Sequence, residues 1–338
     1  MLTILAAVFV FGVLVTVHEL GHFIAAKLTK MRVEEFAIGF GPVISQTKDG
    51  DTEYSLRAIP LGGYNKIAGM DPEDPVDEGG FNSKSIPARM FVILAGALMN
   101  FILPVILFSG IFFIEGMPQV DEKPVLGKVV ENMAADRAGL KEGDRILTIN
   151  GKEIVTWTEV VTTLKENGTK EVTITAVSDG AKKTFTMMPE YDNELKRALV
   201  GISPKVEMVS PGFIGSIELG FKYTGMLIVT MVDGLQKIVT GKMAADVAGP
   251  IGVAQMAGQV AEQGVLPLIN FVAFLSINLG VINLLPLPAL DGGHFILLLV
   301  EAVRGKPLGP KAMTNIQTIG ICLILALTIF STFKDITR

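Results

Sequence analysis

Charge is what this 338-residue chain has least of: Asp, Glu, Lys and Arg make up 19% of it, against about 25% in an average soluble protein. Polar surface is therefore short of what a globule of this size needs. Basic residues are also outnumbered, 29 to 34, for a formal net charge of −5. That balance excludes the basic footprint of a nucleic-acid binder. The single cysteine, Cys322, excludes an intrachain disulfide and any all-cysteine metal site. Histidine is nearly as scarce. Only His18, His22 and His294 occur, and two of them stand four residues apart.

Hydrophobic residues, 49% of the chain, are gathered into long runs. A bilayer core about 30 Å thick needs about 20 apolar residues in a helix. Residues 2–26 qualify, with Glu19 as their one formal charge, and residues 90–114 carry none. A third run starts near Val265 and passes Leu290; Asp291 is its only charged residue between Glu262 and Glu301. The fourth, 319–333, extends uncharged to Asn315. The expected fold class is a polytopic α-helical membrane protein with about four transmembrane helices, in regions 1–26, 90–115, 265–303 and 314–334. The first run has no basic n-region, exceeds a typical h-region and is interrupted by charge, so it reads as a retained helix.

Lys27, Lys30 and Arg32 follow the first run, and Lys84 and Arg89 precede the second. Arg304, Lys306 and Lys311 separate the third and fourth. The positive-inside rule puts all three clusters in the cytosol if both termini lie outside. Region 27–89 is then a cytosolic loop. Its segments 35–41 and 54–64, rich in aromatic and branched residues and punctuated by glycine, predict membrane-associated β-strands. The acidic run 71–78, with two prolines, reads as a solvated loop.

Composition changes sharply after Pro118. Segments 125–130 and 171–177 alternate as strands, and a helical pattern follows Trp157. Between the strands runs Ala138-Gly-Leu-Lys-Glu-Gly-Asp-Arg-Ile-Leu-Thr-Ile-Asn-Gly151. Region 118–203 thus predicts a compact α+β domain, and this motif resembles that of PDZ domains, which bind extended peptides by strand addition. Such a domain outside the cytosol either contacts peptide or ectodomain, or shields the membrane site. Region 204–264 reads as an amphipathic linker, with 213–241 apolar but interrupted.

Residues 18–22 read His-Glu-Leu-Gly-His. On a helix, positions i and i+4 share a face, so both imidazoles reach one ion. Neutral imidazole suits Zn²⁺, and the intervening Glu19 can take a proton from a water that the metal polarises. Two imidazoles and a carboxylate in an apolar span are costly and functional by default. A catalytic zinc usually has three protein ligands. Asp291 is the favoured third, with His294 a rival or a nearby hydrogen-bonding residue. Pro286 and Pro288 must break the helix just before it, and Gly292 and Gly293 loosen the chain after it. Broken backbone at membrane depth is tolerated only where protein buries it or it lines a cavity.

His18-Glu19-x-x-His22, followed by Asn283 and Leu290-Asp291-Gly292, resembles the site-2 protease family of intramembrane zinc metalloproteases, in its bacterial RseP-type branch (peptidase family M50B). Nearly the whole chain shares the resemblance, with one PDZ-like module where some members have two. It implies that His18, His22 and Asp291 bind zinc and that Glu19 is the catalytic acid/base. It implies substrate contacts at Asn283, which is equally suited to an interhelical hydrogen bond. Gly96 and Asn100 match a motif of the second span and are further implied substrate-binding positions, with close helix packing an equal explanation of the glycine. Gly39, Phe40 and Gly41 match a membrane-associated hairpin that pairs with extended substrate. Gly249-Pro-Ile-Gly252 also recurs in the family, with no chemistry evident from its residues.

The function so implied is regulated intramembrane proteolysis in the bacterial cytoplasmic (inner) membrane. Substrates would be single-pass membrane proteins, such as anti-sigma factors or remnant signal peptides, after a first extracytosolic cut. His18 lies two to three turns before Lys27, which sets the site toward the cytosolic side. Two other classes make different demands. A membrane metal carrier would want further metal-binding loops, and an anchored PDZ scaffold would not need His18 and His22.

Overall fold

The computed structural model describes residues 1–71, 77–192, 197–243 and 248–337. Most of the acidic run expected to be a solvated loop falls at 72–76, outside the described residues. In chain order, α1 (Leu2–Leu28) leads into β1 (Val33–Asp49), β2 (Thr52–Ile67) and α2 (Ile86–Glu115). Next come β3 (Met117–Val120), β4 (Leu126–Val129), α3 (Ala134–Ala138), β5 (Arg145–Ile149) and β6 (Lys152–Glu153). Then follow α4 (Trp157–Asn167), β7 (Val172–Ser178), β8 (Ala181–Met187), β9 (Glu190–Asp192), β10 (Arg197–Leu199), β11 (Ile202–Pro204) and β12 (Val206–Val209). Five helices close the chain: α5 (Gly212–Val239), α6 (Pro250–Gln263), α7 (Val265–Asn283), α8 (Asp291–Arg304) and α9 (Pro310–Thr337).

Among the described residues, four helices are long and apolar enough to cross a membrane: α1, α2, α7 and α9. Of these, α1, α2 and α9 outrun their apolar cores where polar flanks continue the helix, and α2 begins at Ile86 with Pro87 in its first turn, where a missing N–H costs nothing. The third apolar region is two helices, because residues 284–290 cannot propagate α7 through Pro286 and Pro288. The chain divides into two compact units, Met1–Phe113 with Gly212–Arg338, and Ile114–Pro211.

In the first unit, the two long strands after α1 pair with each other. Bends at Gly39 and Gly41, both left-handed (φ 90° and 80°), let residues 33–38 find partners on both sides. They pair with 63–67 and with 53–56, while 43–49 pair with 52–57. Glu35 knots these segments together, accepting from Ser55 Oγ (2.7 Å), Arg57 (2.6 Å) and Tyr64 Oη (2.6 Å). The sheet docks on the end of α1. Phe23 packs on Phe36 and Tyr54 (ring centroids 5.0 and 5.9 Å), and Lys27 Nζ donates to Thr52 Oγ1 (2.6 Å). Its far end is apolar and exposed at Ile38, Phe40, Val43, Ile44, Ile59 and Leu61. That end lies beside the middle of α1, where a Cβ on Gly12 would meet the Pro60 carbonyl at 3.3 Å.

Region 204–264 supplies helices as well as a link. Tyr223 of α5 packs edge-on against Phe108 and Phe112 of α2, at 4.8 and 5.8 Å. Gly220 leaves no room for a side chain beside Ser109 and Val105. The Gly249-Pro-Ile-Gly252 motif opens α6. Its Gly249 and Gly252 amides donate to the two carboxylate oxygens of Asp335 on α9 (3.0 and 2.8 Å). A Cβ at either glycine would strike that carboxylate. The motif thus satisfies two of the helix's open N–H groups with an anion at the positive end of its dipole.

The second unit is built on a sheet ordered β6-β5-β7-β8. Along β7, alternate residues are buried, as a half-covered strand requires. The Asn150-Gly151 pair, both left-handed (φ 49° and 80°), makes the tight β5–β6 turn. Thr156 and Glu159 form a reciprocal capping box at the start of α4. Leu126, Ile146, Ile149, Val160, Val172 and Ile174 are fully or almost fully buried at its centre.

Two outcomes follow. Asp335→Ala should cost the start of α6 about 1 kcal/mol, read as roughly fivefold faster amide exchange at Gly249 and Gly252; unchanged exchange would refute the cap. The second concerns Glu35. Burial would raise its carboxyl, but hydrogen bonds from Arg57, Tyr64 and Ser55 outweigh it and hold the group below the usual 4.5, while burial and Glu35 push the Tyr64 hydroxyl up to about 12. A lowered carboxyl contributes its full stability above its unfolded pKa and loses it as pH falls through the folded one. Protection of amides 52–57, corrected for intrinsic rates, should therefore drop as pH falls below the usual carboxylate value of 4.5. Glu35→Gln should flatten that drop; an equal drop in the variant would count against the network.

Candidate metal centre

Three donor atoms converge where α1, α2 and the start of α8 meet. His18 Nε2 and His22 Nε2 lie 3.2 Å apart. Each lies near Asp291 Oδ2, at 3.4 and 3.5 Å. His18, His22 and Asp291 form the group of side chains able to share one metal ion. Their near-equilateral triangle suits a small tetrahedral ion such as zinc, whose donors at about 2.0–2.1 Å stand about 3.3 Å from one another. Asp291 Oδ2 is buried and, among the described residues, has no hydrogen-bond partner. An unpartnered buried carboxylate oxygen is costly, and a cation at the centre of the triangle would remove that cost.

Each element is shaped to bring its donor in. The imidazoles share a face of α1 through their i, i+4 spacing. They lie against the backbone of α2, because a Cβ on Gly96 would collide with both rings. Gly21 does the same from the other side, where a Cβ would strike the Ala95 carbonyl. The His22 ring donates from Nδ1 to the Val92 carbonyl (2.8 Å), which fixes its tautomer and leaves Nε2 free. Asp291 occupies the first turn of α8, where the helix dipole favours an anion. The preceding loop folds onto that turn. Cβ atoms on Gly292 and Gly293 would strike the carbonyls of Leu284, Leu285 and Leu287, so only glycine fits. Ala289 sits at φ 71°, a conformation costing about 1–2 kcal/mol for a residue with a side chain.

Of the residues expected from the sequence, His18, His22 and Asp291 meet directly. Glu19 is half-buried and within electrostatic reach of His22 and Asp291. Asn100 and Asn283 flank His18, their side-chain nitrogens 3.1 and 3.5 Å from Nδ1. Gly96 lies under both imidazoles. His294, half-buried on α8, falls outside the donor triangle. Gly39, Phe40 and Gly41 form the bend of β1.

Two contributors had no signal in the sequence. Val92 acts through a backbone carbonyl, which any residue type would supply. Arg89 and Glu301 make a bidentate ion pair (2.5 and 3.1 Å) between α2 and the far end of α8, with Arg89 buried. In the sequence Arg89 counts only as one of the basic residues preceding the second run, and Glu301 only as the end of the third. The pair instead fastens the helix that carries Asp291 to the helix that backs the imidazoles.

Residues 6–327 match the model of peptidase family M50. A protein of Clostridium acetobutylicum, named for zinc metalloprotease activity, is 40% identical over 334 residues, covering 98% of this chain and 97% of the relative. Zinc metalloprotease RasP of Bacillus licheniformis is 34% identical over 417 residues, covering 99% of each. Regulator of sigma-W protease RasP of Bacillus subtilis is 31% identical over 417, covering 99% of this chain and 98% of the relative. Among solved structures, the PDZ domain of an SdrC-like protein from Listeria monocytogenes is similar at 16% identity and a TM-score of 0.23, over 25% of this chain and 92% of that one.

Gly96→Ala should displace both imidazoles and weaken divalent-metal binding at least about tenfold, measured by chelator competition on folded protein. Wild-type affinity in this variant would contradict the packing.

Proposed function

Because the chain belongs to peptidase family M50 and is a zinc metalloendopeptidase, we propose that it cuts single-pass membrane proteins within the bilayer, at a zinc site held by His18, His22 and Asp291. The observation that carries this reading is the donor triangle closed by an otherwise unpartnered Asp291 oxygen, on helices apolar enough to span a membrane. Bound zinc supplies Lewis acidity toward a peptide carbonyl and a water molecule. Glu19, next to His18 and half-buried, accepts the water's proton and passes it to the leaving amine. Asn283, with Asn100 nearer the ring, is free to hold the substrate backbone or the developing oxyanion.

A substrate helix hides its carbonyls in its own hydrogen bonds, so it must unwind before it can be cut. The sheet of β1 and β2 gives the freed strand a partner. Its apolar end reaches Gly12, six residues or about 9 Å along α1 from His18 and away from the charged end. Open sheet edges are not tolerated against lipid, so an edge at that depth needs protein beside it, and an extended substrate provides it. Gly39, Phe40 and Gly41 shape the bend that presents this edge.

Lys27, Lys30, Arg32, Lys84, Arg89, Arg304, Lys306 and Lys311 support an orientation with the sheet and the metal site toward the cytosol. Region 118–203 is then an extracytosolic PDZ domain that admits substrates already trimmed by a first cut, whether by touching peptide or by excluding large ectodomains. Anti-sigma factors and remnant signal peptides in a bacterial inner membrane fit that description.

The test uses purified protein with single-pass substrates, trimmed or bearing a large ectodomain. Glu19→Gln should keep stoichiometric zinc while cleavage falls about 10²–10⁴-fold, and Asp291→Ala should lose zinc. Full zinc and activity in Asp291→Ala would overturn the ligand assignment, and equal cutting of intact and trimmed substrates would overturn the filter.

A further inference from the structure

Asn100 is fully buried on α2, eight residues after Val92 and four after Gly96. These three positions form one stripe along the helix. The stripe faces the two imidazoles of α1 in antiparallel order: Val92 meets His22, Gly96 lies under both rings, and Asn100 meets His18. At His22 the ring's Nδ1–H donates to a backbone carbonyl. His18 needs the same kind of acceptor if its Nε2 is to stay free for the cluster. The Gly96 carbonyl is within electrostatic reach of the His18 ring without making a hydrogen bond of normal geometry, and what stands 3.1 Å from His18 Nδ1 is Asn100 Nδ2, a second donor. Asn100 Oδ1, meanwhile, is buried and has no partner among the described residues.

A half-turn of the amide about its last side-chain bond gives His18 its acceptor, since the amide's oxygen and nitrogen occupy nearly equivalent positions. Oδ1 then accepts from His18 Nδ1–H. Asn283 is the weaker candidate for this task, because its nitrogen lies 3.5 Å away and its oxygen is not left buried and unpartnered. The fold also holds Asn100 from behind. Pro104, four residues on, has no N–H to give, so the Asn100 carbonyl is released from the helix ladder. Ser276 Oγ of α7 donates to that carbonyl at 2.8 Å, with both partners buried.

We propose that Asn100 is a positioning residue: through Oδ1 it holds His18 in the Nδ1–H tautomer and aims its Nε2 at the metal site, with Ser276 bracing it across Pro104. This rests on the zinc reading above and assigns Asn100 to the ligand's far side, in place of direct substrate contact. Outer hydrogen-bond partners of zinc ligands are typically worth 10–100-fold in metal affinity.

The test is zinc affinity by chelator competition, with the visible spectrum of the Co²⁺-substituted protein as a report on ligand geometry. Asn100→Leu should weaken zinc about 10–100-fold and shift the cobalt bands. Asn100→Asp, which keeps an acceptor, should restore most of the affinity. Ser276→Ala should fall between Asn100→Leu and wild type. In zinc-loaded wild type labelled with ¹⁵N-histidine, the His18 ring should carry its proton on Nδ1, a measurement that does not depend on any variant folding. A proton on Nε2 would overturn the inference. So would wild-type zinc affinity in Asn100→Leu while His22→Ala abolishes binding, an outcome that leaves the zinc reading standing. Wild-type protein with no zinc sensitive to His22→Ala would overturn both.

Discussion

The close approach of α1 to α2 is the constraint on which the rest of the site depends. Two imidazoles on one helix are held toward a shared ion when the neighbouring helix lies near enough to meet their other nitrogens. Gly21 and Gly96 make that possible by removing the side chains that would keep the backbones apart. In an apolar medium helices gain little from burying apolar surface against each other, so small residues at the contact are what allow tight packing. Here Gly96 also makes room for the rings. One contact therefore serves folding and chemistry together.

Asp291 is brought in by the opposite device, a break. Two prolines end α7, and the chain turns through residues 284–290 to restart as α8 with the carboxylate in its first turn. Gly292 and Gly293 let the loop fold onto that turn, and Gly320 of α9 leaves space for Pro288. The buried Arg89–Glu301 pair secures the other end of α8 to α2. Such a pair adds less to stability than its Coulomb attraction suggests, because both charges are desolvated. Its evident contribution is register between the helix that bears one donor and the helix that backs the other two.

The β1–β2 sheet follows a parallel logic. Its polar knot around Glu35 gathers the segments that carry charged residues, while its far end exposes only apolar side chains beside the middle of α1. A sheet polar at one end and apolar at the other suits an interface between water and lipid. The bent strands pair as four segments, which leaves the outer edges of 43–49 and 63–67 for a further strand.

Much of this was legible from composition and spacing. Four apolar runs, two of them carrying a single acid, announced helices because the hydrocarbon thickness dictates their length. His18 and His22 declared a shared face because the helical period does. Asp291 stood out because it was the only charge in a long apolar region, and Pro286 and Pro288 required a break before it. What the sequence by itself determined was therefore the long apolar helices, the candidate donor residues and the place of the interruption, all of which depend on local stereochemistry or on solvation. Only the tertiary structure decided that His22 meets the Val92 carbonyl, that Asn100 lies against His18, that Arg89 reaches Glu301, and that Asp335 caps the glycine motif of α6. Each of those is a meeting of groups far apart in the chain, and neither period nor composition carries information about which distant backbone or side-chain atom will occupy a given hydrogen-bonding position.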